Sequence, residues 1–242
     1  MGHADRLIQA ASVLSGQLDP IRFSAPVTHV YNPLRHAGRG YRRYLHRFAN
    51  GSKRVVFLGM NPGPYGMTQT GVPFGEVRAV RDWLQIEERI DRPQNEHPKR
   101  RVDGFACTRS EVSGARLWGA IADHWHEPEA FFRRHFIANY CPLVFMEKTG
   151  RNRTPDKLPA AERDALYKAC DDHLRRIIDI LEPEWIVGIG AFAERRARIV
   201  LADSNLKFGR VLHPSPANPK ANRGWASAAG RELRALKLCA ND

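Results

Sequence analysis

The fold is decided by the stretch Val55-Val56-Phe57-Leu58-Gly59-Met60-Asn61-Pro62-Gly63. Its first four residues are all apolar and do not alternate with polar ones, as in a strand that is buried on both faces. The glycines and prolines that follow end the strand and begin a stiff loop. A buried strand that runs into such a loop is typical of a parallel sheet in an α/β protein.

Three further apolar runs, at 136–145, 185–189 and 208–212, resemble this strand, and each is followed by loop residues and a helical pattern. The spacing predicts helices at 3–16, 39–49, 77–90, 113–126, 158–181, 191–202 and 225–238, with Ser113 as an N-cap and a loop at 25–32. The alternation predicts a three-layer α/β/α sandwich around a central, mostly parallel four-stranded sheet. We expect one domain over residues 1–242, on which about residues 1–50 pack as helices and loops.

Charge indicates the kind of partner. The chain has 242 residues, with 38 Lys and Arg against 26 Asp and Glu, so its net charge of +12 favours an anionic polymer such as nucleic acid. No apolar run is long enough to span a membrane, and residues 6–18 are too polar for a signal peptide. We therefore expect an intracellular protein with no membrane partner, in the cytoplasm or nucleoid of a bacterium or the nucleus of a eukaryote.

The cysteines indicate neither a metal site nor a disulfide framework. Cys107, Cys141, Cys170 and Cys239 form no closely spaced pair. Zinc and iron–sulfur sites usually need such pairs, so the sequence predicts no metal and no cofactor. We expect four reduced thiols, several of them buried.

Two loops rich in proline and glycine locate the site. In open parallel sheets, ligands bind beyond the carboxyl ends of the strands. Residues 59–75 follow the first strand and residues 213–219 follow the fourth, so both should meet at one edge of the sheet. The first loop has neither the P-loop lysine nor a G-x-G-x-x-G pattern, which weighs against nucleoside triphosphates and dinucleotides.

Four side chains near these loops could carry chemistry, although each also has an ordinary structural explanation. Asn61 and Phe74 stand out in the first loop, which could be only a tight turn. Asn139, in an apolar strand, must satisfy one acceptor and two donor hydrogens, within the protein or on the edge of a pyrimidine. His213, at a strand end, could donate a hydrogen bond to a developing anion or be a structural histidine.

The motifs of both loops resemble those of a known family. Residues 59–77, GMNPGPYGMTQTGVPFGEV, and residues 213–225, with HPSP, NP and ANRGW, resemble the two signatures of the single-strand-selective monofunctional uracil-DNA glycosylases. Shorter matches occur at 31–33, 96–100, 110–116 and 150–152, so the resemblance covers about residues 20–237.

The resemblance implies a role for each of the four side chains. Asn61 would position the attacking water, and His213 would hydrogen-bond the uracil carbonyl beside the scissile bond. Phe74 would stack on the flipped base, and Asn139 would bind its Watson–Crick edge. The other base-binding positions would be Met60, Gly63 and Met67.

The resemblance also implies a set of DNA contacts, each of which could instead be an ordinary surface or turn residue. The expected DNA-binding residues are Ser110, Ser215, Pro216, Ala217, Asn218, Lys220 and Arg223. The sequence departs from the family pattern at two places. Ala217 stands where some members carry an arginine in the loop that wedges into the duplex, and Tyr65 stands where many have phenylalanine.

The sequence therefore predicts a monofunctional DNA glycosylase of base-excision repair, acting as a monomer. It would flip uracil, and oxidised pyrimidines such as 5-hydroxymethyluracil, from single- and double-stranded DNA and hydrolyse the N-glycosyl bond. No lysine precedes Lys220 in either signature, so no strand cleavage is expected. No Asp or Glu precedes Glu76 in the first loop, so we expect Asn61 to orient the water rather than deprotonate it.

Three alternatives remain at this point. The same fold could act on another base, such as mismatched thymine, xanthine or hypoxanthine. The chain could also be a non-catalytic module that binds DNA lesions. An RNA-binding protein is less favoured, because no Gly-aromatic RNA-recognition motif is present.

Overall fold

Seven strands and ten α-helices make up the computed structural model, which describes residues 1–238. The strands are β1 (Val27–Tyr31), β2 (Val55–Gly59), β3 (His135–Asn139), β4 (Val144–Glu147), β5 (Asn152–Arg153), β6 (Trp185–Ile189) and β7 (Lys207–Val211). The helices are α1 (His3–Leu18), α2 (Pro33–His36), α3 (Gly38–Phe48), α4 (Met67–Thr70), α5 (Val112–His124), α6 (Pro128–Phe132), α7 (Ala160–Leu181), α8 (Ala191–Val200), α9 (Pro219–Asn222) and α10 (Trp225–Ala235). Short 3-10 turns lie at Gly104–Ala106 and Pro155–Lys157, and a π-helical turn lies at Ala79–Trp83.

A sheet of four parallel strands lies at the centre of the molecule, in the order β3-β2-β6-β7. Helices flank it, which confirms the α/β sandwich expected from the sequence. Because β2 and β6 are the inner strands, their residues are covered on both faces, and this accounts for their unbroken apolar runs. All four strands point their carboxyl ends to the same edge.

The strand register shows that helices cover opposite faces of this sheet. Gly188 of β6 lies beside Leu58, and a Cβ at Gly188 would overlap the backbone of α8. In β7, Arg210 is the residue beside Gly188, and Gly209 comes one residue before it. A Cβ at Gly209 would overlap Leu236, just after α10. Since neighbouring rows of a sheet point to opposite faces, α8 and α10 belong to different layers.

A second, antiparallel sheet of three strands, in the order β1-β4-β5, lies beside the first. The loop predicted at 25–32 is therefore wrong for Val27–Tyr31, which pairs with β4. The single strand predicted at 136–145 is also wrong, since it divides into β3 and β4. Pro142 lies between them, and its nitrogen has no hydrogen to donate to a strand ladder.

Most predicted helix ends also differ from the structure by one or more residues, and a local feature accounts for three of them. The helix predicted at 77–90 stops after the π-helical turn, because Gln85 adopts a left-handed backbone with φ of 50°. Helix α10 ends at Ala235, and Lys237 adopts a similar φ of 58°. Helix α5 starts before Ser113: the side chain of Glu111 caps it by accepting a hydrogen bond from the Ser113 backbone nitrogen.

Two further expectations from the sequence concern reduced cysteines and membrane-spanning segments. Cys107, Cys141 and Cys170 are free thiols, the latter two buried, and Cys239 lies outside the described residues. Within residues 1–238, none of the helices has the length and apolar character needed to cross a membrane.

Two buried histidines should make stability depend on pH. Burial lowers the pKa of His135 and of His173 to about 4, from an ordinary value of 6.5. Below pH 6.5 the unfolded chain binds protons at both positions, whereas the folded chain binds them only near pH 4, so the free energy of unfolding decreases as pH falls through this window. Between about pH 7.5 and about pH 5.5, urea denaturation should show a loss of about 1 kcal/mol for each histidine.

Matched variants test whether the buried histidines cause this pH dependence of stability. His173→Gln should remove about 1 kcal/mol of this loss, whatever its effect on absolute stability. His46→Gln, at an exposed position of α3, should leave the dependence unchanged. The same pH dependence in all three proteins would show that other groups cause it.

Candidate active site

A cavity of about 660 Å³ opens where the chain leaves the carboxyl ends of β2, β3 and β7. It brings together the two loops that the sequence placed at one edge of the sheet. The predicted site residues that line it are Met60, Asn61, Gly63, Met67, Phe74, Asn139, His213, Ser215, Pro216, Ala217 and Asn218.

Three predicted DNA-binding residues lie outside this lining. Lys220 and Arg223 border a neighbouring cavity, which shares His213 and Asn218 with the first. Ser110 is exposed and precedes Glu111, which does line the main cavity.

Asn61 has a side chain that is fixed at its nitrogen end. Nδ2 donates to the carbonyl of Leu143 at 3.1 Å and to that of Pro62 at 3.3 Å. Both partners are acceptors, which sets the orientation of the amide. Within residues 1–238, Oδ1 accepts no hydrogen bond, so it is the atom left to hold a ligand or a water at the cavity.

Asn139 ends β3, directly beside Gly59 of β2. Among residues 1–238, its Nδ2 donates only to the thioether sulfur of Met67, at 3.6 Å, and a thioether is a weak acceptor. A Cβ at Gly59 would lie 2.5 Å from both Oδ1 of Asn139 and the Phe74 ring. Glycine at position 59 therefore makes room for the amide and the ring together.

Phe74 adopts a backbone conformation that bulky residues rarely adopt, with φ of 54°. The surrounding turn holds it there: the Thr70 hydroxyl donates to the Gly75 carbonyl at 3.0 Å, and Gly114 of α5 lies against the Phe74 carbonyl so closely that a Cβ would overlap it. The ring centre lies 6.3 Å from that of His213. Backbone strain of this kind is common at ligand sites, where surrounding contacts maintain it.

His213 presents a neutral N–H to the cavity. The backbone nitrogen of Ser215 donates to Nδ1 at 3.1 Å, so in the neutral ring the proton is on Nε2. Burial lowers the pKa of His213 below its ordinary value, which keeps the ring neutral at physiological pH. Arg116 of α5 donates to the carbonyl of Pro214 at 3.0 Å and so helps to fix this turn.

Glu111 is an acidic side chain that sequence reasoning did not place at the site. Its Oε2 would lie 2.8 Å from a Cβ at Gly63, so a carboxylate from another segment reaches a loop that has no Asp or Glu of its own before Glu76. Burial raises the pKa of Glu111. The tertiary fold brings the start of α5 to the loop, and the sequence signals were the short family match at 110–116 and a carboxylate just before a predicted helix. Other lining residues that were missed are Ser113, Asn152 and Thr154.

The lining of the cavity combines neutral polar groups and an aromatic ring with the carboxyl of Glu111. Across the described part of the chain, no three His, Cys, Asp or Glu side chains gather in a way that could hold a metal ion. What the arrangement offers is an amide oxygen, a second amide, an aromatic ring and a neutral imidazole N–H. Such groups suit a planar heterocycle with carbonyl and N–H groups at its edge.

Comparison with known proteins identifies the class. The family model for the uracil DNA glycosylase superfamily matches residues 46–234. The chain therefore belongs to the uracil DNA glycosylase superfamily, which makes it a DNA glycosylase and confirms the family expected from the sequence motifs.

Individual proteins of this superfamily and one solved structure are also similar to the chain. The chain is 46% identical over 237 residues to the single-strand selective monofunctional uracil-DNA glycosylase of Rattus norvegicus, covering 97% of this chain and 85% of that protein. It is similarly 45% identical to the Mus musculus protein of that name, with the same coverage. A crystal structure of wild-type SMUG2 from Pedobacter heparinus shares the fold, with a TM-score of 0.72 and 18% identity over 98% of this chain and 97% of that one.

Gly59→Ala is expected to impair the site without unfolding the protein. The added methyl group would meet the Asn139 amide and the Phe74 ring, so both must move. A displacement of about 1 Å at a catalytic site can cost roughly 100-fold in rate, and we expect excision of uracil to slow by at least roughly tenfold. Single-turnover excision and thermal unfolding would be measured on the same sample.

Gly119→Ala is the matched control, because a Cβ there has nothing within 4 Å. Gly119 lies within α5, so its replacement should raise stability by roughly 0.5–1 kcal/mol and leave excision unchanged. Equal excision rates for Gly59→Ala and the unmodified protein would contradict the close packing described for Asn139 and Phe74.

Proposed function

We propose that this chain excises uracil, and oxidised pyrimidines such as 5-hydroxymethyluracil, from DNA in base-excision repair, and leaves an abasic site. The observation that carries the proposal is the convergence of Asn61, Phe74, Asn139 and His213 on one cavity. In a cell the chain would act on the DNA of a bacterial nucleoid or a eukaryotic nucleus.

The first step is extrusion of the nucleotide. A base within the stack cannot reach a cavity of this kind, and flipping it costs a few kcal/mol, less from a single strand or a mismatch. The net charge of +12 favours contact with phosphates, which releases counterions and lowers the free energy of the complex. Ser215, Asn218 and Lys220 are the proposed backbone contacts on the loop that follows β7.

Base selection follows from Phe74, in the loop after β2, and from Asn139, at the end of β3. Phe74 would stack on the flipped base, with its ring beside Gly59. Asn139 would exchange its weak contact with the Met67 sulfur for the uracil edge, with Nδ2 donating to the carbonyl and Oδ1 accepting from the ring N–H. Cytosine has its amine and ring acceptor reversed, so it would leave both atoms of the amide mismatched.

Bond cleavage would follow a dissociative course. As the N-glycosyl bond lengthens, negative charge grows on the uracil carbonyl next to it, and Nε2–H of His213 would donate to that oxygen. A positioned donor of this type contributes about 3–4 kcal/mol in other enzymes. Asn61, whose Nδ2 is held by the Leu143 carbonyl while Oδ1 accepts no hydrogen bond from the described residues, would hold the water that adds to the sugar.

The activity is tested in single-turnover reactions with enzyme in excess over an oligonucleotide that contains one uracil. We expect abasic sites, seen as strand breaks only after hot alkali. Parallel substrates with 5-hydroxymethyluracil, xanthine, hypoxanthine and mismatched thymine define the base preference. Tight binding with no abasic sites would refute the proposal and favour a lesion-binding module.

Asn61→Ala should slow base release by roughly tenfold to 100-fold, because the water loses its fixed acceptor. Affinity for an oligonucleotide with a tetrahydrofuran abasic-site analogue should stay within about twofold, since Asn61 holds water rather than DNA backbone. The two measurements are fluorescence anisotropy for affinity and alkali-revealed cleavage for rate.

Asn50→Ala, at an exposed residue just after α3, is the matched control and should behave as the unmodified protein. An Asn61→Ala protein with an unaltered excision rate would remove Asn61 from the proposed mechanism.

A further inference from the structure

Two arginines converge on the hydroxyl of Tyr65, in the first loop of the site. Nη1 of Arg100 donates to this hydroxyl at 2.8 Å, and Nη1 of Arg109 donates to it at 3.0 Å. Both guanidinium groups also lie over the Tyr65 ring, 5.5 Å and 5.3 Å from its centre. The ring and its hydroxyl thus fix the two positive charges as one unit, here called the Tyr65 clamp.

The charge of the Tyr65 clamp is not neutralised by the protein. Two like charges held on the same hydroxyl repel each other, and a neutral hydroxyl offsets this only in part. Within residues 1–238, no Asp or Glu forms an ion pair with either arginine. Nη2 of Arg100, and Nε and Nη2 of Arg109, donate no hydrogen bond in this part of the chain. Paired cations with unused donors, exposed to solvent at Arg109, are able to bind an anion.

The Tyr65 clamp lies at the rim of the cavity. Tyr65 stands between Pro64 and Gly66, which both line the cavity, and Arg109 stands two residues before the lining residue Glu111. Nε of Arg100 donates to the carbonyl of Gly150 at 2.8 Å, which ties the clamp to the segment that leads to β5. This part of the rim is separate in sequence from the loop at 215–219.

The surroundings of the Tyr65 clamp are also basic. Lys99, Arg101, Lys148 and Arg151 are exposed on the segments that carry it. A planar guanidinium fork matches the geometry of phosphate oxygens, and arginine is preferred where two such oxygens are bound. The charge and the donor geometry therefore fit a phosphodiester, and the position at the rim fits the backbone next to an extruded nucleotide.

We propose that Tyr65, Arg100 and Arg109 bind a phosphate of the DNA backbone beside the flipped nucleotide. The inference rests on the proposed function, since it takes DNA with an extruded base as the ligand. The loop at 215–219 would then hold one part of the backbone and the Tyr65 clamp another. Binding at both would keep the strand over the cavity while the base is inside.

The test is the salt dependence of DNA affinity, measured by fluorescence anisotropy on a single-stranded oligonucleotide with a tetrahydrofuran abasic-site analogue. Each lost phosphate contact lowers the slope of log affinity against log salt by about 0.7 on single strands and about 0.9 on duplex DNA. Arg109→Ala should show that decrease, and the enzyme concentration for half-maximal uracil excision should rise severalfold. Arg43→Ala, at an exposed residue of α3, makes the same change in net charge and should leave the slope unchanged.

Two further variants separate a phosphate contact from a general change of fold. Arg109→Lys keeps the charge and should restore most of the slope, with a weaker affinity because the planar fork is lost. Tyr65→Phe removes the bridging hydroxyl, keeps the ring and should weaken affinity at low salt. Equal slopes for Arg109→Ala, Arg43→Ala and the unmodified protein would overturn the inference.

The outcomes also distinguish this inference from the proposed function. Excision of uracil with an unaltered salt slope in Arg109→Ala would remove the Tyr65 clamp alone. A lowered slope in a protein that releases no base would support the clamp and refute the proposed activity.

Discussion

Asn139→Asp is expected to reduce uracil excision by roughly 1000-fold, because a carboxylate offers no donor to the uracil carbonyl and repels it. The Asn139 amide lines the cavity at the end of β3, and the Met67 sulfur beside it supplies no replacement donor. The altered edge should also favour cytosine relative to uracil. The ratio of single-turnover rates on matched uracil and cytosine oligonucleotides measures this shift directly.

Asn152→Asp is the matched control, since it makes the same chemical change at another residue that lines the cavity. Its effect should be within severalfold, because Asn152 is exposed at the start of β5. An unchanged ratio of uracil to cytosine in the Asn139→Asp protein would show that Asn139 does not read the base, whatever the effect on rate.

His213→Ala is expected to slow uracil excision by roughly 100-fold to 1000-fold, the usual loss when one positioned donor to a developing anion is removed. The ring is neutral because burial lowers its pKa, so its proton on Nε2 is present at all pH values above the ordinary value of 6.5. The excision rate of the unmodified protein should therefore be flat from about pH 7 to about pH 8.

His46→Ala, at an exposed residue of α3, serves as the control for loss of an imidazole and should leave the rate unaltered. A rate that decreases as pH rises through this range would mean that the protonated imidazole is the active form. That result would contradict the role given to the Ser215 nitrogen, which occupies Nδ1 as a donor.

Much of the fold could be predicted because the decisive signals are local. The apolar run at 55–58 and its proline-rich loop indicate a buried parallel strand from composition alone. Strand β1 was missed because Pro26 and Asn32 flank a short segment that is only half apolar, and its pairing with β4 is a contact across 118 residues of sequence, as at Thr28 and Met146. Pairing at such a distance has no signature within either segment.

The residues of the site also divide into those that the local sequence indicates and those that only the tertiary structure brings together. Asn61 and His213 lie on the two loops that motif and topology indicate, so both could be named in advance. Glu111 and the Tyr65 clamp could not, because each depends on segments that meet only in the tertiary structure: Glu111 reaches Gly63, and Arg100 and Arg109 reach the same hydroxyl. Backbone strain at Phe74 was equally invisible in the sequence.

Pro62 determines how well Asn61 withstands chemical ageing. Asparagine turns into aspartate when the backbone nitrogen of the next residue attacks the side-chain carbonyl and expels ammonia. The nitrogen of Pro62 carries no hydrogen, which blocks this ring closure at the residue proposed to hold the water. Asn218 of the loop after β7 has the same protection from Pro219. Spontaneous deamidation should therefore spare both residues, and a protein stored for long periods should keep the uncharged amide at the centre of its cavity.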